Sequence, residues 1–213
     1  MEALFPPEIR TAIQQAVEEV ERNSSAEVVP IVVPRSGEYP QAAWRAGGLG
    51  ALTVPGVFAL AHRFFEIWGW PWEVQLLLPP FLGFAGGFLL AILIPRVSRW
   101  FLFAEELEIQ ARERAEHLFL QEEVFNTRDR TGMLILVSLL EHQVVVLGDK
   151  GIASRIPPDR WKSIARGIAE AVRQGRAGEG LVWGIRECSK LLEEAGLRAR
   201  PGDVNELSNE LRV

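Results

Sequence analysis

The chain has 213 residues, 48% of them hydrophobic and 24% charged, with a net charge of −5, which leaves room for one domain and something more. A pI near 5.4 argues against nucleic acid as a partner, because phosphate binding needs clustered Lys and Arg. The single cysteine, Cys188, excludes an intrachain disulfide and argues against a cysteine-based metal site, and it reads as a small core residue.

The first residues are acidic and helical in pattern, without the basic start and apolar run of a signal peptide, so none is expected. Pro6-Pro7-Glu8 opens a helix at its first turn. Ile9, Ile13, Ala16, Val17 and Val20 recur at helical spacing until Asn23-Ser24-Ser25 stops it. Glu27–Val33 follows as a strand, ended by Pro34 and a Ser36-Gly37 turn.

Two apolar runs come next. Ala46–Ala61 carries no charge, and Val74–Ile94 is uncharged over about the 20 residues needed to cross ~30 Å of hydrocarbon. Between them lies His62–Glu73, HRFFEIWGWPWE, whose Trp68, Trp70 and Trp72 suit a membrane–water interface, as does Trp44 on the outer flank. The runs also fit a buried helical hairpin, but the Trp-rich turn and the outer arginines favour a membrane hairpin. Gly83, Gly86 and Gly87 would let its helices pack closely, and Pro55 would kink the first. Arg35 and Arg45 precede the hairpin and Arg96 and Arg99 follow it, against Arg63 alone in the loop. By the positive-inside rule both termini lie in the cytoplasm, which makes this an integral inner- or plasma-membrane protein with a cytoplasmic soluble domain.

Glu105–Phe125 reads as an amphipathic helix continuing from the second membrane helix. Leu107, Ala111, Ala115, Leu118 and Phe125 share one face, and Glu108 with Arg112 forms an i,i+4 pair on the other. Met133–Leu140 and Val144–Leu147 are short buried strands joined by Glu141-His142-Gln143. Gly132, Gly148 and Gly151 allow sharp turns at the sheet ends. Pro157-Pro158-Asp159 starts a helix carrying Trp161, Ile164, Ile168 and Val172 and ended by Gly175. Leu181–Ala195 is a last long helix, with Gly196 as its stop, and Asp203 with Glu206 reads as a capping box for a tail helix. This order predicts an α/β fold, a small three-layer α/β/α sandwich with a two-helix transmembrane hairpin inserted in it.

The stretch Arg130–Ile152, RTGMLILVSLLEHQVVVLGDKGI, sits after an acidic loop and before a Trp-containing helix, and in this it resembles the TPM-domain family. SAEVVPIVVPRSGEY (Ser25–Tyr39) resembles that family's first strand, with Glu27 at its usual acidic position. The resemblance covers roughly Glu8–Tyr39 and Glu105–Gly196. It departs in the middle, where the apolar insert splits the domain as in a membrane-bound branch of the family. The chain then divides into 1–40 and 100–196 as two parts of one α/β domain, 41–99 as the hairpin and 197–213 as a C-terminal tail.

Familiar catalytic constellations are absent from the sequence. Position 194 is Glu, where a thiol phosphatase loop built on Cys188 would need arginine, and neither a phosphate loop nor a nucleophile elbow occurs. None of His62, His117 and His142 has a partner histidine at metal spacing. What remains is oxygen chemistry at the sheet ends. Asp129, Glu141 and Asp149, with Asp159 and Glu27 as neighbours, are residue types that hold hard cations. Asp129 and Asp149 make the closer pair, because the two ends of a hairpin lie on opposite sheet edges. Ordinary solvated loop carboxylates explain the same residues, and it is the resemblance that brings in Ca²⁺. Arg128 and Arg130 would grip a phosphate or a partner's carboxylate, or stand as surface charges near acidic headgroups.

Two functions are therefore expected. One is a membrane-anchored binding or accessory module for membrane protein complexes, tuned by Ca²⁺, in keeping with the roles in photosystem repair and receptor regulation that the resemblance implies. The alternative is a metal-assisted acid phosphatase-like hydrolase, which the family's plant lumen members imply, with Asp129 and Asp149 on the metal and Arg130 on the developing charge. A transporter or channel fits poorly, since no charge lies within the two apolar runs.

Overall fold

The computed structural model describes residues 4–65, 71–199 and 207–212. In chain order its elements are α1 (Pro7–Asn23), β1 (Glu27–Val33), α2 (Pro40–Phe65), α3 (Trp72–Leu93), α4 (Pro95–Trp100), α5 (Ala104–Gln121), β2 (Gly132–Ser138), β3 (Gln143–Gly148), α6 (Lys150–Ala153), α7 (Pro158–Arg173) and α8 (Ala177–Glu194). They fall into two compact units, one of residues 1–37 and 107–213, the other Glu38–Glu106.

The first unit is a mixed α/β fold around a sheet of order β1-β2-β3, in which β1 and β2 run parallel and β3 antiparallel. Every residue of β1 and β2 is buried, so each strand covers a core on both faces. Alternation divides the side chains between them. Val28, Val32, Met133, Ile135 and Val137 pack with the apolar stripes of α1, α7 and α8, Cys188 included. Val29, Ile31, Val33, Leu134 and Leu136 pack with Ala115 and Leu118 of α5 on the other face. The result is three layers. Cys188 is fully buried, and burial pushes its thiol up to about 12.

Several local expectations give way. β2 stops at Ser138, short of Leu140, because Leu139 and Leu140 turn their N–H groups onto the carbonyls of Val33 and Pro34, each at 3.0 Å. None of Gly132, Gly148 and Gly151 has a left-handed backbone. That conformation falls to Arg130 (φ 57°) and His142 (φ 51°). The three glycines instead allow close approach: a Cβ on Gly151 would stand 2.7 Å from the carbonyl oxygens of Asp129 and Arg130. Arg112 pairs with Glu116 at 3.0 Å rather than with Glu108. The expected tail helix at Asp203–Glu206 lies outside the described residues. Arg212 bridges in parallel to Ile31, its N–H donating to Pro30 O at 3.2 Å and its carbonyl accepting from Val32 N at 2.8 Å.

The second unit is a pair of helices, α2 and α3, closed by small residues. Gly50 and Gly83 meet backbone to backbone, since a Cβ on either would stand 2.0–2.2 Å from the other's carbonyl oxygen. A Cβ on Gly87 would meet Ala46 O at 2.3 Å, whereas Gly86 has nothing within 4 Å. Trp44 packs its ring against Phe84 and Phe88. The helix does not run on into α5. Ile94 is extended (φ −119°, ψ 97°) before Pro95, the conformation a following proline favours, and Phe101 interrupts the chain again after α4. Arg45 secures this return. Its guanidinium donates to both carboxylate oxygens of Glu106 at 2.8 Å and to Phe101 O at 2.8 Å, and it lies over the Phe103 ring at 4.5 Å. That pairing holds the Glu106 carboxyl below the usual range. Among the described residues one helix is long and apolar enough to cross a membrane, α3 over Glu73–Leu93.

Candidate functional site

Because β3 runs against β1 and β2, one end of the sheet gathers the start of β1, the start of β2 and the end of β3. Asp149, just past β3, is buried. Arg130 folds its guanidinium back onto it, Nε to Oδ2 at 2.5 Å and Nη2 to Oδ1 at 3.2 Å. The same Oδ1 accepts from Lys150 N at 2.7 Å and so caps α6. The Arg130 guanidinium also lies 5.6 Å from the centre of the Phe125 ring. Main-chain bonds close this corner: Asp149 N donates to Gly132 O and Gly151 N to Arg130 O, each at 2.9 Å. A left-handed backbone at a non-glycine residue costs on the order of 1 kcal/mol. At Arg130 the bidentate bond to Asp149 offsets it.

Asp129 and Arg128 stand exposed on the loop before this corner. Glu27, at the start of β1, is buried and faces Glu21 of α1, whose Oε1 accepts from Val28 N at 3.3 Å. Burial, and after it the charge of Glu27, raise the Glu21 carboxyl to about 8.

Glu141 occupies the opposite end. It is 1% exposed, accepts from Ser36 N at 2.8 Å and from the Ser138 hydroxyl, and Ser36 Oγ bonds Ser138 Oγ at 2.7 Å. This carboxylate ties the loop after β1 to the turn after β2. Asp159 is exposed on the first turn of α7, where Lys162 at 2.8 Å holds it below the usual carboxylate range.

Of the predicted ligands, then, Asp129 and Asp149 lie on one corner, with Glu27 at the neighbouring strand start, while Glu141 and Asp159 are elsewhere. Among the described residues no group of three or more His, Cys, Asp or Glu side chains is placed to hold a metal ion. The donors do not fit a calcium ion as they stand, because Asp149 already spends its oxygens on Arg130 and the α6 cap. Of the expected membrane-interface residues, Trp44 is exposed on α2, and Arg96 and Arg99 lie on α4, which buries none of its residues. The backbone of Trp72 begins α3, and Trp68 and Trp70 lie outside the described residues. Sequence reasoning missed the Glu21–Glu27 pair, the Glu141 anchor and the Arg45–Glu106 clamp. Their partners meet only after the chain folds back on itself.

This is the architecture of a small α/β domain split by a helical hairpin. Residues 99–191 match the family model described as the TPM domain. It is also similar in fold to a solved structure, the NMR structure of BA42 protein from the psychrophilic bacterium Bizionia argentinensis. The TM-score is 0.57 at 19% identity, over 96% of this chain and 92% of that one. At that identity the likeness speaks for the fold alone. Among curated proteins none matches the chain.

Proposed function

We propose that the chain is a membrane-anchored TPM-domain module that docks on membrane protein complexes, held at the bilayer by both α2 and α3. One observation carries this reading: the apolar side chains of the two helices point outward. Leu52 is 80% exposed, Phe64 74% and Leu93 73%, while the backbones of the helices approach most closely at glycine and alanine. Only 17% of the α3 span is buried. In water such a surface is costly, at about 25 cal/mol per Å², whereas in lipid it is the expected pattern. At about 1.5 Å per residue, either helix is long enough for ~30 Å of hydrocarbon. Arg35, Arg45, Arg96 and Arg99 outside the two apolar runs in sequence, against Arg63 between them, support a cytoplasmic α/β unit. Anchoring raises the effective concentration of the unit for membrane partners, so modest affinity suffices.

Carbonate extraction of membranes from cells expressing the full chain tests the anchor, with Gly69→Cys labelled by an impermeant maleimide in a Cys188→Ala background for the topology. Retention in the pellet with Gly69→Cys labelled from outside is expected. Release into the supernatant would remove the anchor.

Calcium, and with it the hydrolase reading, requires Asp149 to exchange Arg130 for the ion. Titrating Ca²⁺ into wild type and Asp149→Asn while following Tm decides this. A ligand at a hundredfold over its Kd adds about 2.7 kcal/mol. A rise in wild type alone would place a site at Asp149 and make phosphatase assays worthwhile; no rise in either would retire both ideas.

A further inference from the structure

The two edges of the sheet are treated differently. Arg212 bonds along β1, but the outer edge of β3 has no strand partner among the described residues. Asp149 N donates to Gly132 O at 2.9 Å. With the register Met133↔Gly148 through Ser138↔Gln143, alternation along an antiparallel ladder leaves the N–H and C=O groups of Val144, Val146 and Gly148 directed outward. Natural edge strands are usually guarded by a charge, a proline or a bulge. The β3 sequence, QVVVLG, has neither charge nor proline.

This edge forms the floor of a groove of about 310 Å³ between α5 and α7. The wall on the α7 side is mostly apolar, with Trp161, Ala165 and Ile156 beside Lys162, whose ammonium pairs with Asp159, and the wall on the α5 side is charged, with Glu108 and Arg112. Glu108 makes no ion pair or hydrogen bond among the described residues, and Arg112 holds only Glu116, its exposed neighbour one turn on. Glu108 and Arg112 lie one helical turn apart, about 5–6 Å. Alternate side chains of a strand repeat at about 6.8 Å on one face, so two of them would stand opposite these charges.

We propose that the β3 edge is a docking groove for an extended peptide segment of a protein partner, which joins the sheet beside β3. The segment carries a basic and an acidic residue two positions apart, facing Glu108 and Arg112, with apolar residues between and beside them facing Trp161 and Ala165. Main-chain bonds to Val144, Val146 and Gly148 supply the affinity and the two walls the selectivity, which is the general mode of strand addition. A second copy of the chain is a poorer occupant, since its sheet would bring covering helices against α5 and α7. The inference goes beyond the membrane reading and stands apart from the Asp149 corner.

The test uses the full chain in detergent and a fluorescein-labelled peptide, Thr-Val-Lys-Val-Glu-Val-Thr, followed by anisotropy. Saturable binding is expected. Val146→Pro, which removes an outward N–H at a position where edge strands tolerate proline, should bind about tenfold more weakly, the loss of one backbone hydrogen bond. The same peptide N-methylated at alternate amides should bind comparably weakly to wild type. Glu108→Lys should shift preference to a peptide with glutamate in place of the lysine. If Val146→Pro does not fold, as judged by its circular dichroism, the methylated peptide and Glu108→Lys carry the decision. No binding by wild type, or equal binding of the methylated and unmethylated peptides, would overturn the proposal. Self-association of wild type lost in Val146→Pro, without peptide binding, would assign the edge to a second copy instead. A failed carbonate extraction would leave all of these outcomes unaffected.

Discussion

Glu21 carries the clearest electrostatic consequence at the scale of single residues. Burial opposes its charge most, and the neighbouring Glu27 adds to that; Val28 N–H and Asn209 favour the charge but do not prevail, and the carboxyl rises to about 8. A folded-state value above the ordinary one of 4.5 means that the folded chain holds the proton more tightly than the unfolded chain. The stability this contributes is fully present below the unfolded value and is lost as pH rises through the folded one. Urea midpoints of the full chain should therefore fall between about pH 5 and 8 and level off above. Glu21→Gln should flatten that slope, and equal slopes in the two proteins would refute the assignment. Nothing in the sequence announces this pair. Glu21 occupies a polar position of an amphipathic helix, and only the turn at Asn23–Ser25 brings Glu27 back beside it. Glu141 was hidden in the same way, because Ser36 lies far from it along the chain.

Elements were easier to read than their junctions. The stripe of α1 and the apolar positions of α7 and α8 lie in the core as their spacing predicts, since a period of 3.6 is a local property of the sequence. The break before α4 was also written locally. Pro95 biases Ile94 out of the helix, a steric preference that an apolar run of favourable length obscures. At the α2–α3 seam, Gly83 and Gly87 were visible as close-packing positions, but their partners Gly50 and Ala46 depend on register. Gly83→Leu would drive a side chain into the carbonyl of Gly50, and overpacking of this kind costs about 1–3 kcal/mol. Its Tm in detergent should fall well below that of Gly86→Leu, because Gly86 has no neighbour within 4 Å. Equal Tm values for the two variants would mean that the seam is not closed through Gly83.

For the whole molecule, both core clusters of the α/β unit are built entirely from residues outside Glu38–Glu106. Replacing that segment by a short linker should leave a cooperatively folding unit with native near-ultraviolet dichroism from Trp161 and Trp183, and a broad, non-cooperative urea transition would contradict this. The class of fold was legible because β1, β2 and β3 are apolar runs, polar only at their ends, between turn signals. The seating of the tail on β1 was not, since one main-chain bridge leaves no side-chain signature. The insert has a kinetic consequence as well. β1 and β2 are hydrogen-bonded neighbours that must find each other across all of α2 to α5, and such distant pairings slow folding. A hairpin that has already closed, with Arg45 on Glu106 pinning its base, lets the chain behave as though most of that span were absent. Each halving of the effective loop recovers only about 0.6 kcal/mol, but it converts a remote encounter into a nearby one. During synthesis β1 has to wait for β2, and the hairpin determines how far apart they wait.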